Sequence, residues 1–500
     1  MLYSSRNLAR WRNLARCTTQ AHHTTRSSRR RPLTTLAIES SCDDTGVAIL
    51  TRNHDGSPDS KGPTHSLLFN EFISSDHREF RGIEPMVAVK GHTTTLAPLL
   101  RRAIHHLPDA TDADVTSSRE GSRSSKICWT EDGRPKKVPD FVSVTRGPGN
   151  MSNLSVGLNT AKGLAVAWDV PLVGVHHMQA HALTPRLVSA LEMKPAADTG
   201  GGSNKRPARG SRGTNKQQQT SSNSSTSPEF PFLSLLVSGG HTQLVYSKSL
   251  TDHRIVASTL DVALGNLLDH AARDILPAEV LATVPDVKYG RHLEAFAFPR
   301  GGTQDEYAFY PIPSARAYEL ASLDSGYEWF LPAPMAKDRK LAFSFSGLGS
   351  SASNIVAQIS ASQHSSPSEE VEERRALARH TFAAAFRHLA GRIIIALEDR
   401  RDLRDPSPPS TLVVAGGVAC NRFLMHVLRE TLAARGYGRM RIVVPPPALC
   451  TDNAAMIAWA GMEMYEGGWH TGLDVLAISK WPMDPDRGEG IMGAPGWLKT

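Results

Sequence analysis

Apolar strings and small-residue polar breaks alternate along most of the chain. Thr35–Ile38 is a short apolar strand, Glu39-Ser-Ser-Cys-Asp-Asp-Thr-Gly46 a polar turn, and Val47–Leu50 a returning strand. The same order recurs far downstream: strand Leu233–Val237, turn Ser238-Gly-Gly-His-Thr242, strand Gln243–Tyr246. Phe141–Thr145 runs into Arg146-Gly-Pro-Gly149 and a helical stretch at Ser155–Ala167, and Thr411–Ala415 runs into Gly416-Gly417 and a helix beginning near Asn421. Two hairpins of one design, each followed by alternating strands and helices, predict an α/β fold duplicated into two lobes with a cleft between them.

Polar stretches interrupt this pattern. Residues 52–66 and 108–138 read as loop insertions in a first lobe spanning 33–194. Residues 195–229 are too polar to bury a core and are expected to be disordered. Their five basic residues (Lys205, Arg206, Arg209, Arg212, Lys216) either help hold a polyanion or belong to a solvated insertion with no role. A second lobe is expected over 230–475, followed by a tail at 476–500.

Charge changes the picture at one end. The 500-residue chain carries +7, but residues 1–38 hold eight arginines and no acid, which leaves −1 for the rest. A basic surface over the whole body is therefore excluded as an argument for nucleic-acid binding; such a site must be a local patch. The leader, rich in Arg, Ser and Thr with Leu2, Leu8, Trp11 and Leu14 at near-helical spacing, reads as a mitochondrial transit peptide over 1–32, with an RNA-binding basic arm as the alternative. No run approaches the roughly 20 apolar residues of a membrane-spanning helix. Five cysteines without a C-x-x-C pair exclude a disulfide scaffold and a thiolate zinc cluster.

Three glycine turns, at Gly147-Pro-Gly149, Ser238-Gly-Gly240 and Gly416-Gly417, directly follow apolar strands. Such turns expose N–H groups that suit phosphate oxygens, which points to a nucleotide cleft. His177-Met-Gln-Ala-His181 places two imidazoles four apart, on one helix face, the spacing of helical metal sites. A metalloprotease of that pattern needs Glu beside the first His, and Met178 stands there. A third ligand must come from afar; Asp452 is the candidate, although it equally fits the N-cap of the apolar helix that follows. Two imidazoles and one carboxylate suit one divalent ion per chain, zinc or iron, with coordination positions left open.

Taken together, Ile38–Gly46, Gly147–Gly149, His177–His181, Leu236–Thr242, Phe343-Ser-Phe-Ser-Gly347, Ala415–Arg422 and Cys450-Thr-Asp-Asn-Ala454 resemble the tRNA N6-adenosine threonylcarbamoyltransferases, in their mitochondrial branch. The family was formerly named for O-sialoglycoprotein endopeptidases. The resemblance implies the ASKHA fold, shared by actin-like ATPases, Hsp70 chaperones and sugar kinases. It also implies transfer of the threonylcarbamoyl group from L-threonylcarbamoyl-adenylate to adenosine 37 of tRNAs that read codons beginning with A, with release of AMP. It carries the metal to His177, His181 and Asp452, and the phosphate and carbamoyl region to Leu236, Val237, Ser238, Gly239 and Gly240. Asp269 matches a ribose-binding Asp, Asn421 an adenylate-contacting Asn, and Gly290 a binding glycine. Glu39 is expected to act near the transferred group. A mitochondrial homodimer working without accessory subunits is implied as well, while the lack of a long apolar run is what argues against a membrane. The sequence departs from the family pattern at Val262, Asn266, His270 and Gly349, and in Val287-Lys-Tyr-Gly290. Other readings stay open at this level: an ATP-dependent ASKHA enzyme, which needs no His pair, and a weakly active or non-catalytic scaffold in tRNA modification.

Overall fold

The computed structural model describes residues 32–53, 64–80, 82–119, 126–193, 226–404 and 409–500. The leader up to residue 31, the centre of the 52–66 insertion and most of 195–229 lie outside the described residues.

The first half opens with β1 (Leu33–Glu39), β2 (Asp44–Arg52) and β3 (His65–Ser74), consecutive and antiparallel. Helix α1 (Pro85–Ile104) follows, then α2 (Asp112–Arg119) and a separate ribbon of β4 (Ile127–Trp129) with β5 (Pro135–Lys137). Next, β6 (Phe141–Gly147) lies parallel to β1, and α3 (Met151–Trp168) crosses over to β7 (Leu172–His176), parallel to β6. Helix α4 (His177–Glu192) leaves β7 directly.

The second half repeats the plan. Strands β8 (Phe232–Val237), β9 (Thr242–Ser247) and β10 (His253–Thr259) are consecutive and antiparallel, and β11 (Ala342–Phe343) extends the edge. Helices α5 (Leu264–Ile275), α6 (Ala278–Leu281) and α7 (Tyr289–Ala297) follow β10. Strand β12 (Thr411–Ala415) lies parallel to β8, and β13 (Arg441–Val443) parallel to β12. Both sheets thus share one order, three antiparallel strands and then two parallel ones, so the duplication expected from the hairpins is present in the topology. Among the described residues no helix is long and apolar enough to cross a membrane.

Two expectations about segments are corrected. Residues 108–138 are not a plain loop: they hold α2 and the β4–β5 ribbon, fixed by Lys136, whose buried ammonium lies 2.7 Å from an Asp109 carboxylate oxygen. Their Ser and charge content hid strands of only three residues.

The second correction concerns the C-terminal boundary. The second lobe does not continue to 475, because the helix Ala454–Glu466 packs on α4, β1 and β2, and β14 (Trp469–Thr471) and β15 (Trp497–Lys499) extend the first sheet beyond β7. Nor is 476–500 a loose tail, since Trp481, Met483 and Ile491 join the core. The cause is composition. Ala-Ala-Met-Ile-Ala-Trp-Ala-Gly-Met is apolar all round and must be covered on every side. It lies in one apolar cluster with Ala37 and Phe141 of the first sheet and Phe232, Leu236 and Val413 of the second.

Trp481 tests this placement. It is 3 % exposed, donates its indole N–H to the Gly490 carbonyl (2.9 Å) and packs at a tilt against His176, with ring centroids 4.7 Å apart. Trp481→Ala is expected to cost about 3–5 kcal/mol in denaturant unfolding; a loss under about 0.5 kcal/mol would mean a dispensable surface segment.

Candidate metal centre and substrate cleft

Strand β7 delivers the histidine pair. Its last residue, His176, is the N-cap of α4: Nδ1 accepts from Gln179 N–H (3.3 Å) and Nε2–H donates to the Trp481 carbonyl (2.9 Å). Burial pushes this ring down to about 3, so it is a neutral structural link. The helix then carries His177 and His181 on one face, with ring centroids 4.7 Å apart and nearly perpendicular.

Asp452 reaches them from the far end of the chain. Sequence left open whether it caps the following helix. Asn453 takes that role instead: its Oδ1 accepts from Met456 N–H (3.1 Å), and its amide donates to the carbonyls of Thr451 (2.7 Å) and Leu449 (3.3 Å). The Asp452 carboxylate is thereby left for the histidines. Its Oδ1 lies 3.0 Å from His181 Nε2 and 3.5 Å from His177 Nε2. One donor atom from each of the three residues falls within 4.8 Å of the others.

Behind His177 stands Glu39, at the end of β1 and fully buried. Its Oε1 accepts from Ser41 N–H (2.7 Å), and its Oε2 accepts from the Thr145 hydroxyl and faces His177 Nδ1 at 3.3 Å. The Ser41 hydroxyl lies 3.2 Å from the same Nδ1. A carboxylate on Nδ1 turns Nε2 outward as a lone-pair donor, the arrangement that supports metal-binding imidazoles. Burial opposes a charged His177 ring, but Asp452 and Glu39 overcome it and push the ring up to about 10. Burial also opposes ionisation of Asp452, yet the two histidines hold it well below the usual carboxylate range. Two imidazoles and the Asp452 carboxylate, with Glu39 behind His177, form a donor set that a divalent cation would satisfy.

The three glycine turns have different fates. At Ser238–Gly240 a side chain added to Gly239 or Gly240 would meet only open space, so this backbone is free to approach a ligand. The turn is closed by Ser238 N–H to the His241 carbonyl (2.8 Å) and His241 N–H to Ser238 Oγ (3.1 Å). Gly416, at φ 99°, allows β12 to pass β8 where a Cβ would sit 2.3 Å from the Val237 carbonyl oxygen. The third turn is not a phosphate loop. The C-terminal segment covers it: Gly149 N–H donates to the Ser479 carbonyl (3.2 Å), and a Cβ on Gly147 would lie 2.0 Å from the Ile478 oxygen. Leu236 and Val237 are buried in β8, leaving only their backbone for a ligand.

Asp269 and Gly290 come together, Oδ1 accepting from Gly290 N–H at 2.7 Å. Burial pushes Asp269 up to about 6. Asn421 is the N-cap of the helix Arg422–Leu432; its Oδ1 accepts from Leu424 N–H (2.9 Å), which leaves its amide NH2 for a ligand. Glu39 does not open onto the cleft; it acts on His177 from behind. Sequence reasoning assigned nothing to Ser41, Thr145 or His241. The signal for His241 was its place beside the open glycine turn, where burial together with His177 and His181 pushes its ring down to about 4. A cavity of about 490 Å³, lined by Asp76, Arg78, Leu281, Val284, Asp286 and Tyr289 among others, shares no residue with the metal set.

Comparison with known proteins settles the family. A family model described as tRNA N6-adenosine threonylcarbamoyltransferase matches residues 132–201 and 217–459. The chain belongs to this family. The mitochondrial tRNA N6-adenosine threonylcarbamoyltransferase of Schizosaccharomyces pombe is 32% identical over 479 residues, 94% of this chain and 90% of that one. The tRNA N6-adenosine threonylcarbamoyltransferase of Maricaulis maris is 30% identical over 91% of this chain and 92% of its own. Among solved structures, HypF of T. kodakarensis overlaps 88% of this chain and 48% of its own at 13% identity and a TM-score of 0.40. The threonylcarbamoyltransferase motifs all fall on described residues, at the hairpin turns and helix starts given above.

Two outcomes are expected for the metal set. Elemental analysis of His177→Ala and His181→Ala proteins should find the metal lost, while Glu39→Gln should weaken metal binding about 10–100-fold. Because His177 holds its proton up to about pH 10 in the metal-free protein, whereas a ligand imidazole must be neutral, metal loading at pH 7 should release a proton. Calorimetric titration in buffers of different ionisation enthalpy reads that release, which should vanish above about pH 10.

Proposed function

We propose that this chain transfers the threonylcarbamoyl group from L-threonylcarbamoyl-adenylate to the N6 amine of adenosine 37 in mitochondrial tRNAs reading codons that begin with A. The N6–carbon bond forms, the bond from that carbon to the phosphate oxygen breaks, and AMP leaves with the electron pair. The amine proton passes to water. An acyl-adenylate already carries a good leaving group, so no side-chain nucleophile is required.

The observation that carries this reading is the convergence of His177, His181 and Asp452 in a family member. When bound, a divalent zinc or iron ion supplies Lewis-acid polarisation of the carbamoyl carbonyl. The residues of the chain supply the rest. The uncrowded Ser238–Gly240 backbone receives the phosphate and carbamoyl region. Asp269 takes the ribose, with Oδ1 held by Gly290, and the Asn421 amide contacts the adenylate. Burial and the bonds to Ser41, Thr145 and His177 support a positioning role for Glu39, which fixes the His177 ring. The arginine-rich leader, residues 1–32, directs the chain to the mitochondrial matrix, and the working form is a homodimer. The mitochondrial relative in Schizosaccharomyces pombe supports the location.

The test is reconstitution. Purified metal-loaded protein, L-threonylcarbamoyl-adenylate and unmodified tRNA should yield the modified nucleoside and one AMP per transfer by mass spectrometry, with no partner added. Glu39→Gln should lower kcat at least about tenfold even at saturating metal. Absence of product from metal-loaded wild type would refute the function, and unchanged turnover of Glu39→Gln would refute the positioning role.

A further inference from the structure

Lys288 stands at the N-cap of α7, one residue before buried Tyr289 and two before Gly290. The local chain is held rigidly: Lys288 N–H donates to Asp286 Oδ1 (3.0 Å), and the rest of the Asp286 carboxylate is taken by Arg291 (2.7 Å) and His292 (3.1 Å). The ammonium is not among the groups bonded to Asp286. It extends from the second half of the molecule toward the first, where Nζ lies 6.0 Å from the centroid of the Phe72 ring on β3. Its charge acts on Asp44 of β2 and on the Cys420 thiol, which immediately precedes Asn421. The side chain is exposed and forms no ion pair within 4 Å among the described residues.

The surroundings make this cation informative. Acidic groups lie on both halves: Asp44 on β2, whose carboxyl feels the Lys288 charge, Asp269 against Gly290, and Asp452 beside His177 and His181. A phosphate entering among carboxylates is repelled unless a cation meets it. The ammonium of Lys288, two residues before the Gly290 whose N–H holds Asp269, answers that need, and its approach to Phe72 of the other half lets it engage a ligand lying across the gap.

We propose that Lys288 binds a phosphate oxygen of the substrate in the inter-lobe cleft, and is a specificity-determining residue for that anion. The phosphate belongs either to the adenylate donor or to the RNA backbone that carries the acceptor. The assignment of those substrates rests on the function proposed above, but phosphate binding is measurable without turnover.

The variants are Lys288→Met, which keeps the apolar stem, and Lys288→Arg, which keeps the charge. Equilibrium binding of AMP and of an unmodified anticodon stem-loop RNA is measured separately on metal-loaded protein over a range of salt. Lys288→Met is expected to weaken one or both ligands about fivefold to tenfold and Lys288→Arg to restore most of it. If the RNA is affected, the slope of log affinity against log salt should fall by about 1. A loss confined to AMP assigns the donor phosphate, and a loss confined to RNA assigns the backbone. Metal content and melting temperature serve as folding controls. Unchanged binding of both ligands by a folded Lys288→Met protein overturns the proposal. Wild type that binds both ligands yet forms no product would instead refute the transfer reaction and leave the Lys288 assignment standing on its own data.

Discussion

The helix Ala454–Glu466 has no polar face over its first nine residues, and that constraint organises the rest of the molecule. It begins in the second half of the chain but can be covered only by crossing into the first, where α4 and the strands β1 and β2 enclose it. Met456, Ile457, Trp459 and Met462 are buried along it, and each such side chain is worth about 1.5–3 kcal/mol of transfer free energy. This packing delivers Asp452, two residues upstream of the helix, to the imidazoles of α4. Asn453 completes the delivery by capping the helix and freeing its neighbour. The cluster of His177, His181 and Asp452 is thus positioned by core packing, just ahead of a helix that had to be buried there.

The same placement gathers charge where charge is costly. Glu39 and Asp452 flank His177 from opposite sides, and His181 shares Asp452. Removing water from such groups costs several kcal/mol per ion unless their partners are well placed. A protonated His177 reconciles the two carboxylates, and a bound dication would do so with more charge. His176 shows how local this design is. One residue away, pointing to the other side, it is neutral and bonded to Trp481. His176 ends the strand with extended backbone, and the first helical residue, His177, turns to the opposite side and meets Asp452.

The glycine turns follow a similar division. Ser238–Gly240 and Gly147–Gly149 both follow apolar strands and read alike in sequence, yet one is open and the other lies under Ile478 and Ser479. Gly416 has a third use, the close passage of two strands. Glycine marks where a side chain is not tolerated, but the reason, whether a ligand, a neighbouring strand or a distant return of the chain, depends on what packs against it.

Local patterns were enough to determine the hairpins at 35–50 and 233–246, the strand-to-helix passages after Phe141 and Thr411, and the shared face of His177 and His181, because alternation and helical spacing act over a few residues. The motif set also carried the family, since its order survives without any knowledge of contacts. Tertiary structure decided the remainder. It settled that Asp452 meets the histidines while Asn453 caps, that Glu39 orients His177 from behind, that residues 469–500 complete the first sheet, and that Lys288 reaches across to Phe72. Each of those depends on groups far apart in the chain meeting through burial, and burial of one segment is set by the surfaces that all the others leave uncovered.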